Sequence, residues 1–192
     1  MLQPRARIWL ILGIATVAFA NGDPLPDVQT NSLDQERGFV FAGASAQLLV
    51  GSFVQDGDFG NYWDPTSDEI AELEKVLTND LGSHFTKKQR PNNDGPQVHE
   101  YFRQYAGVHL NGRRLVFING FHKSIVEYTV QWLSWPHTES ELTSFPKEAR
   151  NKKFWHFVPV RVDDGGEYYF QAYYDPLSKR LIWFRFHGMH DA

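Results

Sequence analysis

The chain has no cysteine. That absence excludes disulfides, cysteine-ligated zinc, thiol catalysis and lipid attachment through a cysteine, and leaves packing as the source of stability. The metalloprotease pattern HExxH and the serine-hydrolase elbow GxSxG are missing as well. Eight histidines are present, but no pair has metal-ligand spacing, and His187-Gly188-Met189-His190 follows a strand where the two rings do not naturally converge. No metal and no cofactor is therefore expected. A basic excess is also lacking: 19 Lys and Arg stand against 23 Asp and Glu, which argues against nucleic acid as a partner.

Beyond the first twenty residues there is no apolar run long enough to span a bilayer. Those first residues read as a secretory leader. Arg5 and Arg7 form a positive n-region, Ile8 to Val17 an apolar h-region, and Ala18-Phe19-Ala20 a small-x-small cleavage site before Asn21. Cleavage leaves no stable membrane insertion. An exported, cysteine-free chain points to a bacterial periplasmic or secreted protein. Residues 21–38 are polar, contain Pro24 and Pro26, and read as a flexible leader to one domain over 39–192.

What the chain does have is aromatic density. Phe, Tyr and Trp make up 15% of 192 residues, favouring half-buried pleated surfaces. Asn111-Gly112 carries the positive-φ residues of a type I′ turn between Tyr101, Phe102, Tyr105, Val108 and Leu115, Val116, Phe117, Ile118. A two-residue turn sets the register: Val108 faces Leu115, Gln104 faces Asn119 and Phe102 faces Phe121 on one side. On the other, His109 faces Arg114, Tyr105 faces Ile118, Arg103 faces Gly120 and Tyr101 faces His122.

Thr66 and Glu69 form a capping box that opens a helix to about Leu81, with Ile70, Leu73, Val76, Leu77 and Leu81 on one stripe and Gly82 as its C-terminal stop. Phe39 to Val54 suggests one or two short strands or a strand and a tight turn, Asp56 to Pro65 a Gly/Asp-rich loop, and Ser124 to Leu133 a strand or a short helix. Thr138 and Glu141 have capping-box spacing. Trp155 to Val162, a turn at Asp164-Gly165, Glu167 to Tyr174 and Leu181 to His187 read as a three-strand meander, with Ile182, Phe184 and Phe186 on one side. The expected fold is α+β, one main helix packed on a twisted antiparallel sheet of hairpins.

The strings Arg103-Gln104-Tyr105-Ala106-Gly107, Asn111-Gly112-Arg113-Arg114, Asp163-Asp164-Gly165-Gly166 and Tyr174-Asp175-Pro176 resemble a pattern of uncharacterised small exported bacterial proteins, a likeness that implies no activity. The order of helix then strands is similar to the cystatin-like architecture or a related roll. Gln47-Leu48-Leu49-Val50-Gly51 resembles the Gln-x-Val-x-Gly inhibitor loop of cystatins but departs at Leu49 and precedes the helix.

One side of the hairpin groups Tyr101, Arg103, His109, Arg114 and His122, which offer hydrogen bonds, stacking and positive charge. They are the candidate binding residues. Gln104 opposite Asn119 reads either as a structural amide pair or as a polar contact inside a ligand cavity. The expected function is an exported, non-catalytic binding or interaction protein for an unidentified protein or small-molecule ligand. Two alternatives stand beside it: a small enzyme using His109 or His122 as acid or base with Arg103 or Arg114 holding an anion, and a protease-inhibitor-like module.

Overall fold

A computed structural model describes residues 37–51, 53, 59–84, 98–133, 154–156, 158–162 and 165–187. The secretory leader, most of the polar leader and the Thr138/Glu141 capping box lie outside the described residues. The elements in chain order are β1 (Gly38–Val40), α1 (Ala44–Gly51), β2 (Phe59–Trp63), α2 (Ser67–His84), β3 (Tyr101–Leu110), β4 (Arg113–His122), α3 (Lys123–Leu133), β5 (Gly166–Asp175) and β6 (Arg180–His187). Short 3-10 turns occur at Val98–Glu100 and Phe154–His156. The fold is α+β, a mixed sheet of six strands with helices packed against it and no closed barrel.

The β3–β4 hairpin has the register that its turn dictates. Asn111 and Gly112 take φ of 51° and 74°, and the ten pairs run from Leu110↔Arg113 through Gln104↔Asn119 to Tyr101↔His122. β4 continues to β5 and β5 to β6, all antiparallel. The outer edge of β3 is shared: β1 pairs parallel with Arg103–Tyr105, whereas β2 pairs antiparallel with Gly107–Leu110. The parallel β1 makes the sheet mixed rather than purely antiparallel. β2 runs through the Gly/Asp-rich stretch that reads as loop. It is recruited by a tertiary contact, the close approach of Trp63 to β3, and a Cβ on Gly107 would lie 2.2 Å from the Trp63 carbonyl oxygen.

Both faces of the sheet are covered, and this decides where each side chain goes. On one face lie Ala106, Val108, Leu115, Phe117, Phe121 and Tyr169, packed with Ala46, Leu49 and Val50 of α1, with Ile125 and Val126 of α3, and with Trp155, Val160 and Val162. On the other, Ile70, Leu73, Leu77 and Leu81 of α2 pack on Tyr101, Tyr105, Val116, Ile118, Phe170 and Tyr174. The main helix thus covers the side of the hairpin that carries the candidate binding residues.

Expectations change at further places along the chain. The 39–54 stretch begins with the short strand β1, as expected, but α1 follows it in place of a second strand or a tight turn: the small residues suit a helix whose Ala46, Leu49 and Val50 face the sheet. Ser124 to Leu133 is helical, the second of its two readings. α2 runs through Gly82 to His84, so that glycine is no stop. The described residues between Trp155 and Val162 form no ladder strand, because the Gln104 and Asn119 amides bond the backbone of Trp155, Val158 and Val160 instead. β6 keeps Phe184 and Phe186 on the α2 face, but Ile182 falls at a register shift and is exposed.

Candidate functional site

The five candidate residues share one side of the hairpin, and the structure divides them into three groups. Arg103 is 4% exposed beneath α2. Its Nε donates to Glu74 Oε1 at 2.7 Å and to the Tyr105 hydroxyl at 2.9 Å, and its Nη1 donates to the carbonyls of Tyr101 and Val98. The Tyr105 hydroxyl also donates to Glu74. Burial disfavours the Arg103 cation, but Tyr105 and Glu74 outweigh that and raise its pKa. Burial, reinforced by the Glu74 carboxylate, pushes the Tyr105 phenol well above its ordinary range. This cluster is a closed, internally satisfied tie between sheet and helix.

Arg114 is the second tie. It lies 3.7 Å over the Trp63 ring and its Nη1 meets Glu69 Oε1 at 2.9 Å. Glu69 Oε2 accepts the Thr66 N–H at 2.9 Å, and the Glu69 N–H donates to Thr66 Oγ1 at 3.3 Å, completing the capping box. The neighbouring His109 donates from Nδ1 to the Asn61 carbonyl at 2.8 Å, which holds β2 against β3. The basic side of the hairpin therefore recognises the chain's own acidic helix: Arg114 at its first turn and Arg103 further along. The open, mixed basic and aromatic surface expected there is not what the structure holds, since Tyr101, Arg103 and His122 are buried.

His122 and Tyr101 form the third group, at the far end of β4. The Tyr101 hydroxyl donates to the Glu167 carbonyl. His122 Nδ1 accepts from the Ser124 hydroxyl at 2.8 Å and from the Ser124 backbone N–H at 3.2 Å, while Nε2 faces Glu100 Oε2 at 3.8 Å. Burial pulls the His122 pKa below its ordinary 6.5, against the partial opposition of Glu100. Lys123 also pairs with Glu100, at 2.8 Å.

The amide pair is structural. Gln104 Nε2 donates to the carbonyls of Trp155 and Val158 at 2.6 and 2.7 Å, and its Oε1 accepts from Asn119 Nδ2 at 2.8 Å and from the Val160 N–H at 3.0 Å. Asn119 Nδ2 also donates to the Val160 carbonyl at 2.9 Å. Two side chains thus replace a neighbouring strand for residues 155–160. The Gln47–Gly51 echo lies in α1, where Leu49 and Val50 are buried, rather than in an exposed loop.

Sequence reasoning gave no weight to the outer hairpin, where the exposed surface lies. Across the α1 face a ladder of rings runs from Phe53 to Phe117 (5.9 Å between centroids), Tyr173 (5.5 Å) and Trp183 (5.4 Å). Trp183, its outer rung, is 40% exposed on β6, and Arg180, Ile182 and Arg185 beside it are also exposed. Burial pushes the Tyr173 phenol up to about 12. Among the described residues β6 has only β5 as a strand partner, and neither Arg180 nor Arg185 makes an ion pair. The turn into β6 is held by Asp175, which accepts from Leu177 N, Ser178 Oγ and Arg113 Nη2 at 2.7–2.9 Å. Burial opposes ionisation of Asp175, but those hydrogen bonds outweigh it and hold the carboxyl below its usual range. Among the described residues no group of His, Asp and Glu could hold a metal ion, and no helix is long and apolar enough to cross a membrane. No family model, curated protein or solved structure matches the chain.

Proposed function

We propose that this chain is an exported binding protein whose partner is an extended, acidic and apolar segment of another protein, laid along β6. The observation that carries the reading is Trp183, an exposed ring held by Tyr173 and Phe117 behind it and followed on the same side of the strand by Arg185. A ring fixed by packing loses little entropy when it is covered, which makes it a good anchor. Arg180 and Arg185, exposed before and after Trp183 along β6, supply the charge that selects an acidic segment. A second copy of β6 would bring these arginines towards their own kind, so charge favours a different, acidic chain. The n-region, h-region and Ala18-Phe19-Ala20 support export.

The test is calorimetric titration of the chain with two eight-residue peptides of alternating Ile–Glu and alternating Ile–Lys. The acidic peptide should bind and the basic one should not, and Arg180→Glu with Arg185→Glu should abolish the acidic interaction without changing the melting temperature. Equal binding of both peptides, binding of neither, or an unaffected charge-reversed variant would overturn the reading.

A further inference from the structure

We infer that Ser124, His122 and Glu100 form a nucleophilic site that cleaves small carboxylic esters, independently of the β6 edge. Ser124 is exposed at the start of α3, and its hydroxyl donates to His122 Nδ1 at 2.8 Å. The Ser124 N–H donates to the same nitrogen. Two donors on Nδ1 make it the acceptor, so the neutral ring carries its proton on Nε2, facing Glu100 Oε2 at 3.8 Å. This is the order nucleophile, base and orienting carboxylate that activates a serine, with the two ring nitrogens exchanged relative to the usual arrangement.

The rest of the surroundings suit the chemistry. His122 is 8% exposed and held edge-on by Tyr101 and Tyr168, at 5.6 and 5.0 Å between centroids. Its burial keeps the ring neutral, as a base must be. The charged and titratable groups that face it are Glu100 before β3, Tyr101 on β3, Lys123 and Glu127 on α3, and Tyr168 on β5. Tyr168 is 44% exposed and stands edge-on to the His122 ring, an aromatic wall next to the base that suits an ester with a short hydrocarbon acyl chain. The Ser124 N–H is taken by His122, but the other first-turn N–H groups of α3 have, by helix geometry, no intrahelical acceptor and lie next to Ser124, where an oxyanion would form.

In the reaction Ser124 Oγ attacks the ester carbonyl carbon while its proton passes to His122 Nδ1. The tetrahedral intermediate collapses by breaking the bond to the alkoxy oxygen, and the alcohol leaves with the proton from Nδ1. Water then attacks the acyl-serine, gives a proton to Nδ1, and the carboxylic acid departs as that proton returns to Ser124 Oγ.

A histidine that only caps α3 would need the Ser124 N–H but not its hydroxyl, and this separates the two roles. The full chain is incubated with a fluorophosphonate and the adduct located by peptide mass spectrometry, and p-nitrophenyl butyrate hydrolysis is followed from pH 4 to 8. Labelling at Ser124, with turnover that rises with pH through a value below 6.5, is expected. Ser124→Ala should remove both while leaving the melting temperature unchanged. His122→Asn, which keeps an acceptor for the Ser124 N–H, should lower turnover by about 10²-fold or more. Glu100→Gln should lower it less. No label on Ser124, or turnover undiminished in Ser124→Ala, overturns the inference.

Discussion

Replacing Gln104 by Leu keeps approximate volume but removes the amide that holds residues 155–160 on the sheet. Four groups lose a partner: the carbonyls of Trp155 and Val158, the Val160 N–H and one Asn119 Nδ2 bond. Asn119 Nδ2 retains the Val160 carbonyl, so its loss is partial. A buried polar group left unsatisfied costs about 1–3 kcal/mol, and local movement that admits water recovers part of that. The expected loss is about 4 kcal/mol, a large fraction of the 5–15 kcal/mol typical of a folded domain. At about 2–4 °C per kcal/mol for a chain of this size, the melting temperature should fall by about 8–16 °C. Urea titration followed by tryptophan fluorescence is a suitable assay, since buried Trp155 packs tilted against Phe102 and edge-on to Phe121 beside the amides. The double variant Gln104→Leu with Asn119→Leu should cost less than the two single changes together, because each single change strands part of the other amide. A loss below about 1 kcal/mol for Gln104→Leu would refute the clamp, since the orphaned groups would then be cheaply hydrated.

Other expected outcomes test the remaining ties. Arg103→Met leaves Glu74 facing Tyr105 without its cation, and because Glu74 is a quarter exposed the cost should sit near the low end for a broken buried pair, about 3 kcal/mol, with Glu74→Met in the same chain recovering more than half. Chemical denaturation of the single and the double variant measures it. Gly112→Val forces a β-branched residue to φ 74° and should cost about 1 kcal/mol or more, read from the urea midpoint. Gly120→Ala puts a Cβ 2.1 Å from the Phe170 ring and should cost about 1–3 kcal/mol by the same measurement. His122 has a folded pKa below its ordinary 6.5, so the folded state resists its protonation: its contribution to stability is present above 6.5 and is lost as pH falls through the lower, folded value. His122→Asn should therefore flatten the stability profile on the acid side of pH 6.5, and an unchanged acid limb would contradict that assignment.

The parts of this protein legible in its sequence are those written in local chemistry. A type I′ turn needs two positive-φ residues, and Asn111-Gly112 settles the hairpin register down to the Gln104–Asn119 pair. The Thr66–Glu69 box and the Ile70–Leu81 stripe likewise settle where α2 begins and which side it buries. Alternation also separates the two sides of β3 and β4 correctly, but it cannot say what covers either one. Tertiary structure decided that α2 lies over the basic side, so that Arg103 and Arg114 meet Glu74 and Glu69 instead of an outside partner. It also decided that Phe59–Trp63 is a strand and that the described residues between Trp155 and Val162 are not. Strand pairing depends on which edge is free nearby: β2 finds the outer edge of β3, while residues 155–160 cross a face whose strands are already paired and are held by side-chain amides. The exposed Trp183 ladder and the approach of Glu100 to His122 belong to the same class. Both join residues far apart in the chain that only the tertiary structure brings together, whereas Ser124 meets His122 from two residues on, a local contact where β4 runs into α3.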